Sequence, residues 1–112
     1  MRDVTFRWNT PEEAKWGSAA RFWSVDNLEL SGFRGRQSEG SGLPAVWLRD
    51  VERAFVKGCW APEGTGTFMH LGDGVLDVTL LGNDLSQAAA AVSIESTPAP
   101  RVFESGNRPP GN

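Results

Sequence analysis

Residues 43–57 read LPAVWLRDVERAFVK, and their spacing decides the fold class expected of this chain. Trp47, Leu48, Val51, Ala54 and Phe55 recur at intervals of three and four, which puts them on one stripe of an α-helix. Arg49, Asp50, Glu52 and Arg53 fall mainly on the other side. Pro44 suits a first helical position, and Gly58 suits a left-handed C-cap. Lys57 matches the negative end of the helix dipole. The expectation is one main amphipathic helix over about 43–57.

Three short antiparallel strands are expected after it. The first covers residues 65–71. Asp73-Gly74 then reads as a hairpin turn. Residues 75–81 alternate Leu76, Val78 and Leu80 against Val75, Asp77, Thr79 and Leu81, as a half-buried strand does. Gly82-Asn83-Asp84 turns the chain again. Residues 88–95 place Ala88, Ala90, Val92 and Ile94 on one face.

Before the helix the signals are weaker. Val4, Phe6 and Trp8 alternate like a strand. Thr10-Pro11-Glu12-Glu13 resembles a helix start, so residues 11–16 are a turn or two of helix, or a loop. Residues 21–25 and 28–33 form two strands about Asp26-Asn27, or one longer strand with a bulge. Residues 35–42 are polar and glycine-rich, a loop. No internal repeat stands out. The fold class is therefore α+β: a curved antiparallel sheet of five or six strands packed by one helix. Residues 1–105 form a single domain, and residues 106–112 have the composition of a flexible Pro/Gly-rich tail.

The chain has 112 residues, a net charge of −3 and one cysteine. One domain with one core fits that length. The acidic balance gives nucleic acid no basic footprint to hold. No stretch approaches the ~20 apolar residues of a membrane-spanning helix. A lone Cys and no signal-type apolar run favour the cytoplasm.

The catalytic inventory is thin. His70 is the only histidine, and a nucleophile site needs a serine or cysteine within about 3 Å of it. Cys59 follows a helix C-terminus, where the dipole disfavours a thiolate. One Cys and one His give no zinc-type spacing. No catalytic residue, metal or cofactor is assigned. The five tryptophans are the unusual feature. Exposed Trp is enriched at interaction hot spots, which singles out Trp16 and Trp60 as candidate binding residues. Arg34 and Arg36, beside Phe33, resemble the arginine-glycine elements of RNA binders, or are solvated charge on a loop, and join them as candidates.

The stretches 30–35 (LSGFRG), 76–83 (LDVTLLGN) and 92–94 (VSI), with 60–64 (WAPEG) between, resemble the WapI-type immunity family. The resemblance covers about residues 28–95. It implies a strand, an amphipathic helix, a short linker and three antiparallel strands, in a small, acidic, cytoplasmic protein that binds and blocks a delivered toxin. It carries over no contact residue.

Two function classes follow. The first is a non-enzymatic protein-binding module, sharpest as an immunity or inhibitor protein. It expects a flat surface with exposed aromatics and carboxylates. The alternative is a small-ligand-binding protein or small enzyme. Its pocket would be Trp-lined, with His70, Trp23 and Asp73 as candidates. A homo-oligomer through an exposed sheet edge or a Trp patch is a third reading.

Overall fold

A computed structural model of the chain describes residues 4–7, 12–13, 20–36, 42–95 and 99–110. Every element in it is a strand. They are β1 (Val4–Arg7), β2 (Glu12–Glu13), β3 (Ala20–Ser31), β4 (Gly35–Arg36), β5 (Val46–Lys57), β6 (Thr67–Leu71), β7 (Asp77–Leu81), β8 (Ala90–Ile94) and β9 (Arg101–Ser105). The helix expected at 43–57 is strand β5, and the α+β class is thereby corrected. The region 20–31 is the single long strand, not a hairpin about Asp26-Asn27. Trp8 and the short helix expected near residues 11–16 fall largely or wholly outside the described residues.

The sheet is parallel, which corrects the antiparallel expectation. β1 pairs β3, β3 pairs β5, β5 pairs both β6 and β7, β6 pairs β8, and β7 pairs β9, all in parallel register. β2 pairs β4 in the same sense. Parallel neighbours cannot be joined by a tight hairpin. The chain must travel round a full coil before it lies beside itself again. Cα partners in the main sheet are accordingly 23 to 26 residues apart. The molecule is a parallel β-solenoid.

Two kinds of corner set the path. At the first, Ser24 and Asp50 have φ of 60° and 53°, and Gly74 has 79°. They divide each coil into a first face (residues 20–23, 46–49, β6 and β8) and a second face (residues 25–31, 51–57, β7 and β9). A Cβ at Gly74 would stand 3.1 Å from the Asp50 Cα, a tight contact in a left-handed conformation, and both favour glycine at that corner. Asp73-Gly74 is therefore a bend within one coil, since β6 and β7 do not pair with each other. At the second corner Gly32, Gly58, Gly82 and Gly106 all take left-handed φ, between 60° and 68°.

The core is a stack of columns along the coil axis. Leu28, Ala54, Val78 and Val102 form one, and Leu30, Val56 and Leu80 another. On the first face Val46, Met69 and Val92 align, as do Leu48, Leu71 and Ile94. Phe33 and Phe68 meet edge to face, with centroids 6.1 Å apart, and both are fully buried.

After each second-corner glycine stands one inward residue: Phe33, Cys59, Asn83 and Asn107. The last two build an amide ladder. The Cys59 N–H donates to the Asn83 Oδ1 at 2.9 Å, and the Asn83 N–H to the Asn107 Oδ1 at 2.8 Å. Asn83 Nδ2 donates to the Val56 carbonyl and Asn107 Nδ2 to the Leu80 carbonyl. The stretch from residue 106 thus contributes a rung to the last coil.

Cys59 occupies the next rung up. Its thiol lies 3.5 Å from the Lys57 carbonyl and 3.7 Å from the Leu30 carbonyl, the latter placed as Val56 and Leu80 are for the amides. Burial, offset in part by the Phe33 and Gly32 backbone, pushes its pKa up to about 11. The stability tied to the neutral thiol is full below its ordinary value of 9.0 and is lost as pH rises through about 11. Cys59→Asn is expected to extend the ladder and raise stability by about 1 kcal/mol, with the alkaline loss removed. Cys59→Ala should lower stability. Urea melts at neutral and alkaline pH check both, and an Asn variant less stable than the Ala variant refutes the ladder reading.

Candidate binding face

In a strand, alternate side chains point out. Parallel stacking then aligns the outward residues of successive coils. On the first face this gives a column of Arg21, Trp47, His70 and Ser93. Trp23 and Arg49 pair beside it.

The contacts run across both columns. The Arg21 guanidinium lies 5.4 Å from the Trp47 ring centroid, and that of Arg49 5.4 Å from Trp23. Trp23 meets Trp47 edge to face at 6.3 Å. Trp47 meets His70 in the same way at 5.7 Å. Such stacks are worth about 0.5–1 kcal/mol each where exposed. Their main effect is to fix long side chains in one arrangement. Trp23 stays 47% exposed.

His70 is flanked on both ring nitrogens. Nδ1 is 2.6 Å from the Ser93 Oγ, and Nε2 is 3.7 Å from a Glu95 carboxylate oxygen. A serine therefore does stand within reach of the single histidine. The sequence reading missed it because the contact exists only through a 23-residue coil register. The order serine, imidazole, carboxylate is that of a nucleophile site. The arrangement stops short of one, because the carboxylate lies beyond hydrogen-bond reach.

Trp23 and Asp73, two of the pocket candidates, share one depression at the first corner. Trp23, Ser24, Arg49, Asp50, Asp73 and Gly74 line it, with a volume of about 400 Å³. It runs on into a second hollow of about 370 Å³ that adds Asp26, Glu52 and Leu76. Both are open and mostly polar, unlike the apolar enclosure that a buried small ligand needs. Among the described residues no three His, Cys, Asp or Glu side chains converge as a metal site would require. None of those residues forms a helix long and apolar enough to cross a membrane.

The other singled-out residues lie elsewhere. Trp60 is 45% exposed at the second corner, with the Arg34 guanidinium 4.9 Å from its ring centroid. The same outer column continues through Asp84 and Arg108, which approach to 3.5 Å. Hydrogen bonds from Ser86 hold the Asp84 carboxyl below the ordinary value. Phe33 is buried and belongs to the core. Arg36 lies in β4, paired with Glu13. Trp16 lies outside the described residues.

The chain belongs to the architectural class of parallel β-solenoids, with an aromatic and cationic ladder on one face. No family model, no curated protein and no solved structure matches it.

Proposed function

We propose that this chain is a non-enzymatic protein-binding module that uses the first face of the solenoid. The observation that carries the reading is the interlocked set of Trp23, Trp47, Arg21 and Arg49. Trp and Arg dominate binding hot spots because they combine large apolar area with directional donors. Here they are held in place before a partner arrives, which lowers the ordering cost of association. A guanidinium lies over each indole. A sugar that stacks on a bare ring face would have to displace it, so a protein surface offering carboxylates to the arginines fits better.

An immunity or inhibitor role is the narrower form of this proposal. It rests on the resemblance of residues 28–95 to the WapI-type family and requires a partner whose own active surface becomes covered.

The test is site-specific photo-crosslinking from position 95, at the edge of the ladder, against position 103 on the other face. One protein captured from position 95 alone, which then binds the purified chain directly, is the expected result. Trp23→Ala should weaken that binding by about 2 kcal/mol, near thirtyfold. Equal capture at both positions, or an affinity unchanged by Trp23→Ala with Arg49→Ala, overturns the proposal.

A further inference from the structure

We infer that the partner of the first face presents a short acidic segment, two carboxylates at alternate positions, to the guanidinium groups of Arg21 and Arg49. The inference rests on the first face being the binding face, and it adds what that face reads. Both arginines are exposed. Each is stacked on an indole, Arg21 on Trp47 and Arg49 on Trp23, at 5.4 Å. Stacking uses the flat face of a guanidinium and leaves its N–H groups free in the plane. Among the described residues no ion pair and no hydrogen bond takes either group. Two forks therefore stand with their donors unfilled. Such a fork holds a carboxylate through two parallel hydrogen bonds.

Packing fixes the platform beneath the forks. Gly72 follows the Leu48–Leu71 register pair, which puts it in the outward column below Arg49. Its N–H donates to the Leu48 carbonyl at 2.8 Å. A Cβ on Gly72 would come within 3.3 Å of the Trp47 Nε1 and 3.0 Å of the Leu48 carbonyl oxygen. The Trp47 indole thus lies across the place where a side chain would stand. Trp23 abuts it edge to face at 6.3 Å. Gly72 also offers Arg49 no side chain that could take up its charge.

The spacing and the surrounding charge define the segment. Arg21 stands opposite Trp47, and Arg49 lies two residues further along β5. One strand spacing across and two residues along put their Cα atoms about 8 Å apart. Carboxylates at alternate positions of an extended segment share one face about 7 Å apart, which two arginine side chains can span. The margins limit the run of charge. Asp50 and Asp73 line the first corner beside Arg49, and Glu95 lies 3.7 Å from the His70 Nε2 on the other side. A nucleic acid would press a continuous run of charge against those carboxylates, in a chain whose net charge is already −3. A single phosphate concentrates its charge at one point and leaves one fork empty. Two separate carboxylates with neutral or basic neighbours match both the forks and the margins.

Nuclear magnetic resonance of the arginine side-chain N–H groups tests this with the full chain. The probe is the blocked peptide Lys-Gly-Glu-Gly-Glu-Gly-Lys. It should shift the Arg21 and Arg49 signals saturably and leave those of Arg53 and Arg101, on the second face, in place. The same peptide with glutamine for both glutamates should not bind. Arg21→Lys with Arg49→Lys keeps the charge but removes both forks, and it should weaken binding at least about tenfold. Both positions are exposed, so a thermal melt like the parent's is expected of that variant. Equal binding of the glutamine peptide, or an affinity unchanged in the double Lys variant, overturns the inference. So does tighter binding of a phosphoserine peptide of the same length or of a short oligothymidine. Undiminished protein capture from position 95 in the double Lys variant would sink the carboxylate inference while leaving the binding-module reading in place.

Discussion

Val56→Asp is expected to leave no cooperatively folded protein at neutral pH, while Phe55→Asp leaves the fold standing. The two positions are neighbours, and a helix and a strand assign them opposite roles. A helical stripe through Trp47, Leu48, Val51 and Ala54 includes Phe55 and leaves Val56 beside it. In β5 the assignment is reversed. Val56 is fully buried between Leu30 and Leu80, and Phe55 is 38% exposed with the Lys57 ammonium 5.7 Å from its ring centroid. Asp is close to Val in size, so Val56→Asp makes little cavity. It puts an ionised group into the column without a partner. That cost runs to several kcal/mol or more, against a total margin of about 5–15 kcal/mol for an ordinary domain. Burial disfavours the charged form, so acid should relieve part of the damage. Phe55→Asp gives up part of an exposed ring, worth about 1–2 kcal/mol. Circular dichroism and thermal melts decide the matter. Equal damage at both positions would contradict the strand.

The same stretch explains what was legible in the sequence. The strand character of residues 67–71, 77–81 and 90–94 was readable because each is a short apolar run set off by turn residues, and residues 77–81 also alternate cleanly. β5 was not, because it turns a corner. Its buried residues are Val46, Leu48, Val51, Ala54 and Val56. The left-handed residue Asp50 adds one step at the corner, and Glu52-Arg53 adds another. Those two extra steps turn a period of two into intervals of three, which imitate a helix. β3 carries the same phase break at Ser24.

The stronger missed signal was the repeat. Val25, Leu28, Leu30 and Gly32 recur as Val51, Ala54, Val56 and Gly58, then as Val75, Val78, Leu80 and Gly82. The glycines are 26 and 24 residues apart, and Gly106 follows after another 24. Comparing the chain with itself at that offset exposes the coil. Each unit is short and apolar at few positions, so it reads as unrelated strands until the glycines are aligned. The parallel sense follows from the repeat and not from local turns. Asp73-Gly74 has the composition of a hairpin, yet the chain only bends there. The candidate face was partly legible. Trp23 and His70 were singled out, but their union with Arg21, Trp47, Arg49 and Ser93 depends on coil register.

Asn83→Ala should be the most damaging polar substitution, at about 3–4 kcal/mol. Asn83 is 1% exposed, and its side chain serves three partners on two coils. Truncation leaves the Cys59 N–H and the Val56 carbonyl buried without those bonds, each costing about 1–3 kcal/mol. Asn83→Asp should be worse than Ala. The carboxylate keeps the acceptor for Cys59 but replaces the donor, and it then faces the Val56 carbonyl and the Asn107 Oδ1 with negative charge. Asn107→Ala should cost less, about 1–2 kcal/mol, because Asn107 is only half-buried and solvent can reach its abandoned partners. Urea melts with unchanged m-values would give these differences directly. The order matters more than any single value. In a solenoid each coil touches only its neighbours, so an interior rung is held from both sides and an end rung from one. Equal costs at Asn83 and Asn107 would mean that the ladder does not act along the axis.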